Sequence, residues 1–140
     1  MPTPLLRAVA LACALFAVLA ACGKAPAAGR TVTWALDVEA TVGRAEIEQQ
    51  AAVRKKLEGV NVVLELRGDN TYTLTITGGK DALVSEGTYK SGFDAIFLRA
   101  TSKDGKPIPE AQRDDWRLRS QGAKTIEVES GSLFAVLTRR

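Results

Sequence analysis

The side chains best equipped to do chemistry in this chain are few, and their spacing excludes most enzyme classes. The 140 residues include two cysteines, Cys13 and Cys22, and no histidine. The single methionine is Met1. Without an imidazole, Ser-His-Asp and Cys-His catalysis, histidine-based acid–base work and Cys/His zinc sites are all ruled out. A metal would have to be held by carboxylates and carbonyls, and no Asp/Asn run has the spacing of a calcium loop. One carboxylate group, Glu110 with Asp114 and Asp115, stands beside Arg113, Arg117 and Arg119. A solvated charge network explains it better than paired acid–base catalysis. These residues point to a non-enzyme with no metal and no cofactor.

The thiol of Cys22 is the remaining reactive group. It closes an uncharged stretch, Ala8–Ala21, of 14 residues (21 − 7), preceded by Arg7 and the initiator amine. As a helix this stretch rises roughly 21 Å against about 30 Å of hydrocarbon, too short for a comfortable span. It suits the apolar region of a secretory signal, and small Ala20 and Ala21 let a peptidase approach the backbone. The run Leu19-Ala20-Ala21-Cys22 resembles the lipobox of bacterial lipoproteins: a branched residue, two small ones, then Cys. That resemblance implies cleavage between Ala21 and Cys22. Cys22 then carries a thioether-linked diacylglycerol, with an acyl chain such as palmitate on its amine. An ordinary secretory signal and a retained transmembrane anchor are the alternatives. By the sorting rule of that family, Gly23 in place of Asp implies the periplasmic face of the outer membrane where the source has two membranes. Cys13 leaves with the leader, so the mature domain has no thiol and no disulfide, although its compartment permits one.

Removing residues 1–21 leaves 119 residues (140 − 21), one domain able to bury about two-thirds of its unfolded surface. Without Arg7 there are 18 basic and 16 acidic side chains, a net of +2 with the signs interspersed. No stripe suited to nucleic acid results. Residues 22–30 read as a lipidated flexible tether, reaching about 15 Å by random-coil scaling. The folded domain is expected over 31–140.

From Thr31 onward the apolar period is two, which signals half-buried strands. The expected strands are Thr31–Val38, Asn61–Arg67, Thr71–Thr77, Ala82–Lys90, Ala95–Thr101, Asp114–Ser120, Lys124–Glu129 and Ser132–Arg139. One surface helix is expected between the first two, over Gly43–Glu58, with Ile47/Ala51 and Val53/Leu57 as i,i+4 pairs. Pairing Arg67 with Thr71 across Gly68-Asp69-Asn70 sets Leu66 opposite Tyr72, Leu64 opposite Leu74 and Val62 opposite Ile76. All of these then share one face, the condition for a correct register. Placing Leu118 opposite Ile126 sets Arg117 beside Glu127 outside. The chain is therefore mainly β: about eight antiparallel strands in an up-and-down meander. Closure into a small barrel removes the exposed edges.

The phrases Gly68-Asp69-Asn70-Thr71-Tyr72-Thr73-Leu74, Glu86-Gly87-Thr88-Tyr89-Lys90 and Ile96-Phe97-Leu98 look like those of small bacterial lipocalin-like lipoproteins. Thr33-Trp34-Ala35-Leu36-Asp37 fits the opening of many of them. The resemblance implies a lipocalin-like barrel. Trp34, Tyr72, Tyr89 and Trp116 are candidate ligand-binding residues, set against a reading as core and rim. By strict alternation Phe97, Phe134 and Val136 point outward and are candidate partner-binding residues. Two functions remain. In the first, the domain is a lipid-anchored, non-catalytic module contacting another envelope protein. In the second, the barrel binds a small apolar ligand with the 43–58 helix as a lid.

Overall fold

Branched and aromatic side chains alternating with threonine and charged residues build the wall of this molecule. The computed structural model describes residues 29–130 and 133–140. The expected leader, its cleavage point at Ala21 and Cys22, and the tether through residue 28 lie outside the described residues. The strands are β1 (Thr31–Leu36), β2 (Asn61–Arg67), β3 (Thr71–Thr77), β4 (Leu83–Ser91), β5 (Ala95–Lys103), β6 (Lys106–Pro107), β7 (Asp115–Gln121), β8 (Thr125–Ser130) and β9 (Leu133–Arg139). All pairings are antiparallel, in the order β4-β3-β2-β1-β9-β8-β7-β5, and β4 also pairs with β5. The ring closes, giving an eight-stranded antiparallel barrel. β6 is a two-residue extra pairing outside the ring, made by the long connection folding back on Ser102 and Lys103 of β5.

The β2–β3 register has Val62 opposite Ile76, Leu64 opposite Leu74 and Leu66 opposite Tyr72, as the face rule requires. Asn70 takes φ 64 in the turn, a left-handed conformation that Asn tolerates better than other residues with a side chain. The β7–β8 register differs from expectation. Ser120, not Leu118, lies opposite Ile126, and Arg119, not Arg117, lies beside Glu127. The strand runs on to Gln121, and the turn is made by residues 122–124 with Gly122 at φ 71. A displacement by two keeps the parity, so Leu118, Ile126 and Val128 all still face inward and are buried.

The helical region also differs. The first strand stops at Leu36, and Val38, expected in that strand, already belongs to helix α1 (Val38–Val42). Asp37 is the cause: its carboxylate accepts the Ala40 N–H at 2.9 Å, an N-cap bond. The expected single helix is broken after Gly43. A 3₁₀ turn at Ile47–Gln49 leads into α2 (Gln50–Lys56). Arg54 on α2 clasps Glu39 on α1, with Nη2 to Oε2 at 2.9 Å. Of the two expected apolar pairs, Val53 is partly buried and Leu57 is buried, but Ile47 is 86% exposed and Ala51 is exposed.

The core is the barrel interior. Val62, Leu64, Leu74, Leu98, Leu118, Ile126, Val128 and Leu137 are fully buried there. An eight-stranded barrel is just wide enough for side chains to fill it. Register fixes what each end carries. The 68–70, 92–94 and 122–124 turns share one end with Arg30 and Arg139. The 78–82 turn, the 104–114 connection and the start of β9 share the other.

Candidate functional site

The four aromatic residues picked out for ligand binding occupy the interior or its mouth. Tyr72 is fully buried, and its hydroxyl shares a 2.9 Å hydrogen bond with the Ser85 hydroxyl. Gly87 lies opposite Tyr72. A Cβ on Gly87 would come within 2.0 Å of the Arg99 carbonyl oxygen, where β4 and β5 shift register. Gly87 therefore allows the two backbones to close on each other, and small Ser85 gives the Tyr72 hydroxyl its partner. Burial pushes the Tyr72 phenol above its ordinary value, opposed by the Ser85 bond.

Tyr89 is also buried, and its hydroxyl donates to the Arg67 carbonyl at 2.7 Å. Burial raises this phenol too, and the nearby Asp69 carboxylate adds to the effect. Trp34 packs in the core, and its indole N–H has no hydrogen-bond partner. Trp116 is half-buried. With Leu83, Ser85, Ala100 and Ile108 it lines a cleft of about 110 Å³ under the long connection.

The three outward residues separate. Phe97 is 42% exposed. Phe134 is half-buried beside a cleft of about 190 Å³ between the helical region and β9, whose other lining includes Thr41, Val53, Leu57 and Leu133. Val136 does point outward, but it is only 1% exposed. The expectation of an open apolar patch at Val136 is corrected by α1, which lies over it. The Asp37 N–H donates to the Val136 carbonyl at 2.9 Å. The Val136 N–H donates to the Thr41 hydroxyl at 2.9 Å, and that hydroxyl donates to the Asp37 carbonyl at 2.7 Å. β1 ends at Leu36 opposite Leu137, so these bonds continue the ladder that the strand leaves unfinished.

The outer face between β7 and β9 is polar. Arg117, Arg119, Glu127, Glu129 and Phe134 line a cleft of about 230 Å³ there. Arg44 reaches Glu127 at 3.3 Å and also bonds Gln121. Arg117 pairs with Asp94 at 3.3 Å. The Glu110, Asp114 and Asp115 carboxylates do not converge on a catalytic geometry: Asp115 pairs with Arg99 at 3.7 Å, and Arg113 donates to the Ile108 carbonyl. Among the described residues no three His, Cys, Asp or Glu side chains are placed to hold a metal ion.

Two surface features escaped the sequence reading. Phe93 is 90% exposed at the tip of the β4–β5 hairpin, and Ile47 stands out from the helical region. The signal for Phe93 was a large apolar residue between Gly92 and Asp94, where turn chemistry favours small or polar ones. Ile47 was assigned to a buried helix face that the break after Gly43 removes. Compared with known protein families, curated proteins and solved structures, the chain matches none.

Proposed function

We propose that this chain is a bacterial envelope lipoprotein, anchored by lipid on Cys22, whose lipocalin-like barrel is a non-catalytic interaction module. The lipobox-like run Leu19–Cys22 supports the anchor. The packed interior carries the choice of an interaction module over a carrier. Clefts of about 110 to 230 Å³ fall short of the roughly 300 Å³ of an ordinary ligand site. A partner protein meets the domain at the helix end, where Ile47 stands uncovered and the 104–114 connection projects.

Two measurements test this. Intact-mass analysis of membrane-extracted protein should show loss of residues 1–21 and added acyl mass on Cys22; an unmodified thiol there would sink the anchor. A photoreactive residue at position 47 should give a discrete cross-linked species in intact cells, and one at Glu65 on the outer wall should not. Equal silence at both positions removes the helix-end surface.

One observation favours a second reading. The cleft of about 190 Å³ beneath the helical region is mostly apolar, and α2 roofs it. A small apolar ligand seated there would use the helix as a lid. Titration with an apolar dye discriminates: saturation at one equivalent, blocked by Val53→Trp, supports the carrier reading.

A further inference from the structure

At the turn end of the barrel, four observations combine. Phe93 is the most exposed of the large apolar side chains, and the Gly92 N–H bonds the Ala95 carbonyl at 2.7 Å to hold the tip that presents it. The Phe97 ring extends this apolar tip: its Cε2 would lie 3.1 Å from a Cβ on Gly92. The same end is basic. Arg30, Arg67, Lys90, Lys124, Arg139 and Arg140 stand there against the acidic side chains Asp69 and Asp94. Both carboxylates are engaged, Asp69 with Thr71 at 2.6 Å and Asp94 with Arg117, while Arg67 is shared with Glu65 at 3.5 Å. At the opposite end the signs alternate, as with Glu58, Lys103, Asp104, Lys106, Glu110 and Arg113.

Topology adds the fourth observation. The described chain enters at this end: the Gly68 N–H donates to the Arg30 carbonyl at 2.9 Å. Seven residues (29 − 22) separate Cys22 from Gly29, at most about 25 Å when extended. In the closed ring β1 lies three strands from β4 and four from β5. The β4–β5 hairpin is thus on the far side of the barrel end from the point where the chain enters.

We infer that the Phe93 hairpin tip is a second membrane foot, inserting into the interface of an anionic bilayer while the surrounding basic rim faces its headgroups. This rests on the proposed anchor at Cys22. One aromatic tip and a few cations hold a free protein on a bilayer only weakly. A domain already tethered there meets the surface at high effective concentration, so a weak contact suffices to orient it. With an anchor on one side and an aromatic foot on the other, the barrel stands upright and directs its helix end away from the membrane. A protein partner for this tip is disfavoured because the basic rim and the tether converge on the same end.

The test uses the full chain processed in a lipoprotein-modifying host and reconstituted in phosphatidylethanolamine–phosphatidylglycerol vesicles. A spin label goes on Ser91→Cys, beside the intact Phe93, or on Lys106→Cys at the other end. At position 91, collisions with oxygen should exceed those with a water-soluble nickel chelate. At position 106 the order should reverse. Phe93→Ser, or vesicles of phosphatidylcholine alone, should return the position 91 label to water while the protein stays vesicle-bound. A lipidated, vesicle-bound chain whose position 91 label reads as water overturns the foot and leaves the anchor standing. A label that is immobilised yet shielded from both colliders reports contact between copies and also overturns it. An unlipidated Cys22 by mass overturns the anchor and this inference together.

Discussion

Two parts of the barrel wall read alike in sequence and end up differently. In β3, Thr73 and Thr75 point outward and remain half-exposed. In β9, Phe134 and Val136 also point outward, yet Val136 is buried as deeply as its inward neighbours Ala135 and Leu137. Alternation sets the direction of a side chain in both strands. Burial is decided by what lies across from it. β3 is paired along its length on both sides, by β2 and β4, and carries nothing outside. β9 loses its β1 partner after Leu137. The unpaired Val136 backbone recruits Asp37 and Thr41, and α1 comes to rest over the outer face. An unfinished ladder, not an apolar stripe, docks this helix.

The contrast can be sharpened by substitution. The largest effect belongs to the interior both strands share. Leu74→Ala should cost about 2–5 kcal/mol in urea unfolding, because the filled barrel cannot collapse around the lost volume. Next is Thr41→Val. It removes the acceptor of the Val136 N–H and should cost about 1–3 kcal/mol, the range for stranding a buried donor. A near-neutral result would show that α1 is held by apolar contact alone.

The buried phenols give a third effect, confined to alkaline conditions. Tyr72 and Tyr89 hold their protons more tightly in the folded domain than in the unfolded chain. Their stabilising contribution is therefore intact below the ordinary phenol value near pH 10 and is lost as pH rises through the raised values. The urea midpoint of Tyr72→Phe should fall less steeply above pH 10 than that of the parent. Identical slopes would show that Tyr72 is not desolvated. The smallest effect completes the comparison: Thr75→Val, the same change as at Thr41 but on the bare wall, should alter stability by no more than about 0.5 kcal/mol. A loss matching that of Thr41→Val would mean that β3 is covered as well.

Much of the barrel was legible from residues 61–101. Strands there alternate cleanly, turns carry Gly, Asp and Asn, and only one register puts Leu64, Leu66, Tyr72 and Leu74 on a common face. The β7–β8 turn was less legible, because sliding the register by two preserves the inside–outside parity. Parity was the only constraint that the pattern supplied. The aromatic candidates were ambiguous for a related reason. Trp34, Tyr72 and Tyr89 face inward whether the interior is hollow or packed, and the difference lies in the volumes of every neighbour at once.

The sequence by itself determined the chemistry that the chain lacks, the lipobox-like run ahead of its folded domain, and the period-two pattern that calls for a closed antiparallel sheet. Those properties are local: residue types, short spacings and a two-residue repeat. Tertiary structure alone decided that β1 ends early, that α1 covers Val136, and that Phe93 and a basic rim share the end at which the chain enters. These depend on which strands become neighbours when the ring closes, and closure joins β4 to β5 and β1 to β9. The second pair is about a hundred residues apart in sequence, and no local pattern records it.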